Sequence, residues 1–262
     1  MNVLTFKLKT IPDIDGCRKL YDLHGLSDDD VAKAVFHKRR QEANTELLRH
    51  HLHKVISVSA VLRTEDQFKV WSLGTVESNE QDLLQRFYSG LARYTPKLVS
   101  WGGVGFDLPI SHYRSLLYPV NADQYWAAGE GDNSFQNDNL SCRYNDRHTD
   151  LMDLLSGYQA SASAPLNEIA TLCGFPGNTV DMANISTNQQ IWDSYQAGGI
   201  KNIRAAGETE VLNTYLVYLN LQRNRGVIDQ TQYETECRLV RDNLTASDQS
   251  HLITFEKTWL DQ

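Results

Sequence analysis

The chain has 262 residues, 41% of them hydrophobic, which excludes a disordered polymer and allows one large domain or two small ones. A formal charge of −8 excludes a global basic field, so any contact with nucleic acid must be local. The four cysteines, Cys17, Cys142, Cys173 and Cys237, stand singly, with neither a CxxC pair nor a histidine partner spacing, which argues against a zinc site or a disulfide framework.

The opening segment MNVLTFKLKTIPD lacks the charged-then-apolar arrangement of a secretion signal, and nowhere do 18 apolar residues run together. The expectation is a cytoplasmic protein with no membrane contact. Residues 2–9 alternate, Leu4, Phe6 and Leu8 on one face and Val3, Thr5, Lys7 and Lys9 on the other, which predicts a strand ended by Ile11-Pro12-Asp13. A polar helical region follows from Ser27, a fitting cap, to about Arg49. Residues 54–63 and 67–73, rich in Val, Ile, Phe and Trp, read as a hairpin.

Leu83, Leu84, Phe87, Tyr88 and Leu91 give residues 79–93 helical spacing, and the apolar run 97–101 predicts a buried fourth strand. The glycine-rich GGVGFD segment then leads into a helix over 108–117, with Asp107 as its cap and Tyr113, Leu116 and Leu117 on its inner face. Residues 119–147 look like a polar insertion. HTDLMDLL, from His148 to Leu155, reads as a short strand or a helix start. A helix over 165–173 is closed by Gly174, and 178–190 is a loop. A long helix over 200–224 turns Ile203, Val211, Leu212, Tyr215, Leu216 and Leu219 inward, and helices over 229–242 and 246–260 finish the chain.

Five stretches carry a family resemblance: LTFxxxTIPD at 4–13, LVSWxGxGFDLP at 98–109, RHxDLMDLLxGY at 147–158, PLxEIATLxGFPG at 165–177 and ExxVLNTYLVYL at 208–219. Together they resemble the predicted 3′-5′ exonucleases related to the proofreading domain of B-type DNA polymerases, in the DnaQ-like branch of the RNase H-like superfamily. The resemblance implies an α/β fold, an RNase H-like mixed sheet flanked by helices with C-terminal helical additions. It places an exonuclease-type domain at 1–240 and a helical extension at 241–262.

In such exonucleases two divalent cations, Mg²⁺ or Mn²⁺, about 4 Å apart, clamp the attacking and leaving oxygens of the terminal phosphodiester. The family holds them with Asp-x-Glu on the first strand, an Asp at the head of a helix after the fourth strand and an Asp on a later helix, with a Tyr four residues before the last Asp. Carried over, the first pair falls on Lys7 and Lys9, the next Asp is Asp107, the last Asp falls on Glu210, and the Tyr position is Ala206. The Asn that commonly follows the motif Trp is Gly102.

Lys7, Lys9, Asp107 and Glu210 sum to zero charge, so the metals are not expected to bind stably here. The two ammonium groups either pair with Asp107 and Glu210 or hold a phosphate, or else they merely reach solvent through an open cleft. Asp107 is a remnant ligand or a helix cap, and Glu210 a remnant ligand or an ordinary helical charge. Trp101 and Phe106 could stack a base or fill the core. His148, Asp150 and Asp153 could assist substrate or metal, or serve structure alone. The Lys38, Arg39, Arg40 run and His50, His51 and His53 could meet phosphates or form a solvated face.

The resulting expectation is a protein that binds single-stranded DNA or RNA ends with hydrolysis lost or strongly reduced. The candidate nucleic-acid contacts are Lys7, Lys9, Trp101, Phe106 and His148. Two alternatives stand beside it. One is an active nuclease with a remodelled one-metal site on Asp107, Glu210 and Asp150 or Asp153. The other is a structural protein with an unknown protein partner.

Overall fold

The structure is a computed structural model that describes residues 2–126, 147–178 and 187–260. Most of the sequence-predicted insertion at 119–147, part of the 178–190 loop, and Cys142 lie outside the described residues. Among the described residues five strands form one mixed sheet: β1 (Val3–Pro12), β2 (His53–Arg63), β3 (Phe68–Ser72), β4 (Lys97–Ser100) and β5 (His148–Asp150), in the order β3-β2-β1-β4-β5. β2 runs antiparallel to β1 and β3, while β4 and β5 run parallel to β1. The mixed sheet flanked by helices is the fold class that the resemblance implied.

β1 is central and covered on both faces, which is why nearly all its residues are buried. Leu4, Phe6 and Leu8 pack with Leu83, Leu84, Phe87 and Leu91 of α3 (Glu80–Tyr94). The opposite sheet face, with Val61, Phe68, Val70 and Val99, packs on α9 (Ile200–Asn224). Thr5, which pairs with Val61 and Val99, shares that second face, and Lys7 and Lys9 continue it.

The structure adds α1 (Ile14–Tyr21) and α8 (Asn188–Gln196), and α2 (Asp28–Ala43) stops six residues before the predicted end. Asn44 takes a left-handed conformation, φ 51°, and closes α2 there. Ser27 caps α2 through the Asp30 N–H, as its sequence position suggested. α4 (Asp107–Ser115) has a different inner face from the predicted one. Leu108, Ile110, Ser111 and Arg114 are buried, whereas Tyr113, Leu116 and Leu117 are exposed. The helix ends at Ser115, so Leu116 and Leu117 lie past it, and Arg114 turns inward because Glu80 and Asp13 pair with it.

The segment after α5 (Asp123–Trp126) resumes at β5, which passes directly into α6 (Leu151–Leu155), so the HTDLMDLL stretch is both strand and helix. α7 (Leu166–Leu172) and α9 match their predicted spans closely. α10 (Gln230–Thr245) and α11 (Ser250–Leu260) pack Val240, Leu244, Leu252, Phe255 and Trp259 into the α9 core. Residue 240 therefore falls inside α10. Arg63 of β2 reaches Glu236 of α10 at 2.7 Å, which ties that helix to the sheet. None of the described helices is long and apolar enough to cross a membrane.

α9 is apolar around most of its circumference because strands cover one side and α7, α8, α10 and α11 surround the others. Its close approach to the sheet depends on Gly207. A Cβ there would lie 2.4 Å from Ser59 Oγ and 3.1 Å from Ser59 Cβ, and Ser59 Oγ is already engaged with Ser72 Oγ at 2.9 Å. Gly207→Ala should lower unfolding stability by about 1–2 kcal/mol in urea titrations, because overpacking outweighs the roughly 1 kcal/mol gained in helix propensity. A stabilised variant would show that α9 lifts off β2 without cost.

Candidate functional site

Lys7 and Lys9 sit near the C-terminal end of β1, and the register with β2 shifts between Lys9 and Thr10. Such irregularities re-aim side chains at the end of a strand. Both ammonium groups turn inward. Lys7 Nζ lies 2.9 Å from Asp107 Oδ2, and Lys9 Nζ lies 2.6 Å from Glu210 Oε1. The second oxygen of Asp107 accepts the Leu8 N–H at 2.7 Å, so both oxygens are engaged. Of the two sequence alternatives for Lys7 and Lys9, paired groups or solvent-reaching ones, the geometry shows paired groups.

Asp107 is not a helix cap. The cap position of α4 is Phe106, which makes no side-chain capping bond, and the Asp107 carboxylate points back to β1. It is fully buried, and burial pushes its pKa up, opposed by the Lys7 ammonium and the Leu8 N–H. Burial pulls Lys7 down, but Asp107, Glu210 and Asp150 together hold its pKa above the ordinary lysine value. Lys7 is therefore protonated at neutral pH. Its ammonium also lies 5.2 Å from the centre of the Phe106 ring, a cation–π contact.

The loop that delivers Asp107 is pinned by Asp150. Its two oxygens accept the Gly102 and Val104 N–H groups, each at 2.8 Å, and it caps α6 through the Met152 N–H at 3.1 Å. Gly102 has φ +71°, a left-handed conformation that Gly and Asn both enter, which gives a physical reason for Gly where the family commonly has Asn. Asp150 thus serves the loop.

A cleft of about 390 Å³ opens over the pair of lysines, with Glu210, Trp101 and Phe106 in its walls. Asn167, Asn178 and Asn188 also line it, brought from α7, from the turn after Gly177 and from the first residue of α8. Single asparagines in separate segments carry no spacing signal, so no local pattern points to them. A larger groove, about 1240 Å³, runs beside the β3 edge near Arg204, Glu208 and His251. Its lining includes none of Lys7, Lys9, Asp107, Glu210, Trp101 and Phe106, so the smaller cleft is the candidate site.

His148 is elsewhere. It pairs with Leu98 in the sheet and so shares the face of Leu4 and Phe6, opposite the lysines. Its Nε2 lies 2.8 Å from Ser100 Oγ, and its ring packs 5.9 Å from that of Phe6. Ala206 is buried in the core cluster that includes Ile11, Phe36 and Trp192 and does not line the cleft. The basic run is engaged locally: Lys38 with Glu42, Arg40 with Glu46, and Arg39 with the Leu47 carbonyl. His53 is buried against Thr10 Oγ1, and His50 contacts the Gly105 carbonyl. No cluster of three or more His, Cys, Asp or Glu suited to a metal ion occurs among the described residues.

Residues 45–259 match the model of a family described as predicted 3′-5′ exonucleases related to the exonuclease domain of PolB. The chain belongs to this family. The matched segment starts after β1, so Lys7 and Lys9 lie outside it, and their place in the site rests on their contacts with Asp107 and Glu210. Comparison with curated proteins gives no match. Among solved structures, the chain is similar to a family B DNA polymerase from the hyperthermophilic archaeon Pyrobaculum calidifontis, at 11% identity and a TM-score of 0.45. The likeness covers 84% of this chain and 25% of the polymerase, so the chain spans about a quarter of that protein's length.

Two expected outcomes follow from this geometry. Asp150→Ala frees the Gly102 and Val104 N–H groups. It should cost about 1–3 kcal/mol and speed hydrogen exchange at residues 102–106, while unchanged exchange would deny Asp150 its anchoring role. His53 and His148 are both driven by burial to a pKa of about 4, below the ordinary 6.5. The unfolded chain then binds more protons between those values, so the stability these two histidines contribute should fall as pH drops from about 6.5 to about 4 and level off below. Urea midpoints across that range measure it, and His148→Phe should flatten the slope.

Proposed function

We propose that this chain is a non-hydrolytic member of the exonuclease family, whose cleft holds the 3′ end of a single nucleic-acid strand without cutting it. The observation that carries this is the one-to-one pairing of Lys7 with Asp107 and of Lys9 with Glu210. The family is generally dependent on divalent metal, and hard dications require several oxygen ligands. Here both oxygens of Asp107 are committed, Glu210 is committed to Lys9, and the four groups carry no net charge. The residues present do not fit a pair of divalent cations, and no hydrolytic step is assigned to them.

What remains suits an end-binding cleft. The half-buried rings of Trp101 and Phe106 offer stacking faces, worth about 1–3 kcal/mol per base. The Lys7 side chain is 23% exposed, and an ammonium has three donors, so one can reach a phosphate oxygen while another serves Asp107. Because the lysines are already neutralised, the salt dependence of binding should be shallow. The exonuclease-type unit is placed at 1–240, with 241–262 as a helical extension that Leu252, Phe255 and Trp259 fasten to the α9 core.

Digestion of 5′-labelled single-stranded DNA and RNA with Mg²⁺ or Mn²⁺ tests this. The unaltered chain should leave both intact yet bind them, and Trp101→Ala should weaken binding by about 5- to 100-fold. A revertant with Lys7→Asp, Lys9→Glu and Glu210→Asp should regain metal-dependent shortening. Ala206→Tyr is left out of it because the surroundings of Ala206 are filled. Metal-dependent shortening by the unaltered chain, abolished by Asp107→Ala, would sink the proposal. Absence of binding would favour a purely structural role.

A further inference from the structure

We infer that Lys7 and Lys9 are built-in counter-cations, which hold Asp107 and Glu210 together across the sheet–helix junction and make the integrity of the site independent of any metal ion. The inference rests on the reading of the site given above, but not on nucleic-acid binding. Asp107 comes from the head of α4, Glu210 from α9, and both lysines from the central strand between them. Three elements distant in sequence therefore meet through two ion pairs, 2.9 and 2.6 Å long.

The two carboxylates are electrostatically aware of each other. Glu210 opposes ionisation of Asp107, and both carboxylates favour the charged form of Lys7. Removing the ammonium groups would leave like charges facing each other, one of them fully buried, an arrangement that is strongly unfavourable without a cation. Lys9 is almost fully enclosed: it is 4% exposed, and a Cβ at Gly207 of α9 would lie 3.7 Å from its Cγ. Its position is set by packing as well as by charge. A lysine that had merely lost a functional partner would be expected to place its head in water, since its stem is long enough to do so.

The pairing also differs in kind from metal ligation. An ammonium donates hydrogen bonds to one or two oxygens, whereas a divalent cation such as Mn²⁺ gathers about six oxygens and is repelled by an ammonium beside them. With the lysines in place, added metal has no site to stabilise. With acidic residues in their place, four carboxylates converge, and the fold should depend on metal to hold them.

Thermal unfolding of the full chain, in EDTA and across a Mn²⁺ titration, tests this without any nucleic acid. The melting temperature of the unaltered chain should be the same in EDTA and in Mn²⁺. Lys7→Met/Lys9→Met should lower it by about 5–10 °C in EDTA. Lys7→Asp/Lys9→Glu should melt lower still in EDTA and recover saturably with Mn²⁺. If that variant does not fold, the methionine pair and the metal response of the unaltered chain decide alone. An unchanged melting temperature for the methionine pair would overturn the inference, as would a saturable rise of the unaltered chain with Mn²⁺ that Asp107→Asn removes.

Discussion

Burial of the Asp107 carboxylate is the constraint around which the site is arranged. A fully enclosed carboxylate needs both oxygens satisfied, and here one takes the Leu8 N–H and the other the Lys7 ammonium. That requirement fixes where α4 begins, and through α4 it fixes which side chains face the core. The loop before α4 can meet it only because Asp150 gathers the Gly102 and Val104 N–H groups and holds the turn. Asp150 thus acts on the cleft at one remove, by positioning the element that delivers Asp107.

A second close approach supplies the other half. Gly207 lets α9 settle onto Ser59 of β2, which brings Glu210, three residues further along the helix, within reach of Lys9. The side of the cleft built from α9 therefore depends on a missing side chain, and the side built from α4 on a hydrogen-bonded loop. Between them the net charge is zero, so the cleft attracts a phosphate backbone weakly. Any affinity for a strand must come chiefly from the Trp101 and Phe106 faces, a sequence-tolerant contribution.

Much of the scaffold was legible because its elements carry strong periodic signals. The alternation in β1, the spacing of Leu83, Leu84, Phe87 and Leu91, and the long apolar face of α9 all read correctly from the chain. The failures are local and physical. α1 is a two-turn helix with Gly16 inside it, too short to show a period, and α8 begins beside a polar stretch that reads as loop. The inner face of α4 differs from the expected one because the helix stops at Ser115, short of Leu116 and Leu117, and Arg114 is drawn in by distant acids; Asp107 is no cap either. Its true partner lies 100 positions away in sequence, where no local pattern can show it. His148 sits in a motif stretch, yet a three-residue strand turns it to the face opposite the lysines.

The segment that places the chain in its family and the segment that sets the chemistry of the cleft are different. The match spans residues 45–259, which contain Asp107, Glu210, the loop and the long helix, whereas the two lysines stand on β1 before it begins. The matched segment supplies the two carboxylates, and β1 supplies the groups they pair with. If β1 presented acids, four negative charges would converge and only metal could hold them, whereas with lysines the same backbone closes on itself. Membership therefore accounts for the scaffold around the cleft, while two side chains on one strand set the charge at its centre.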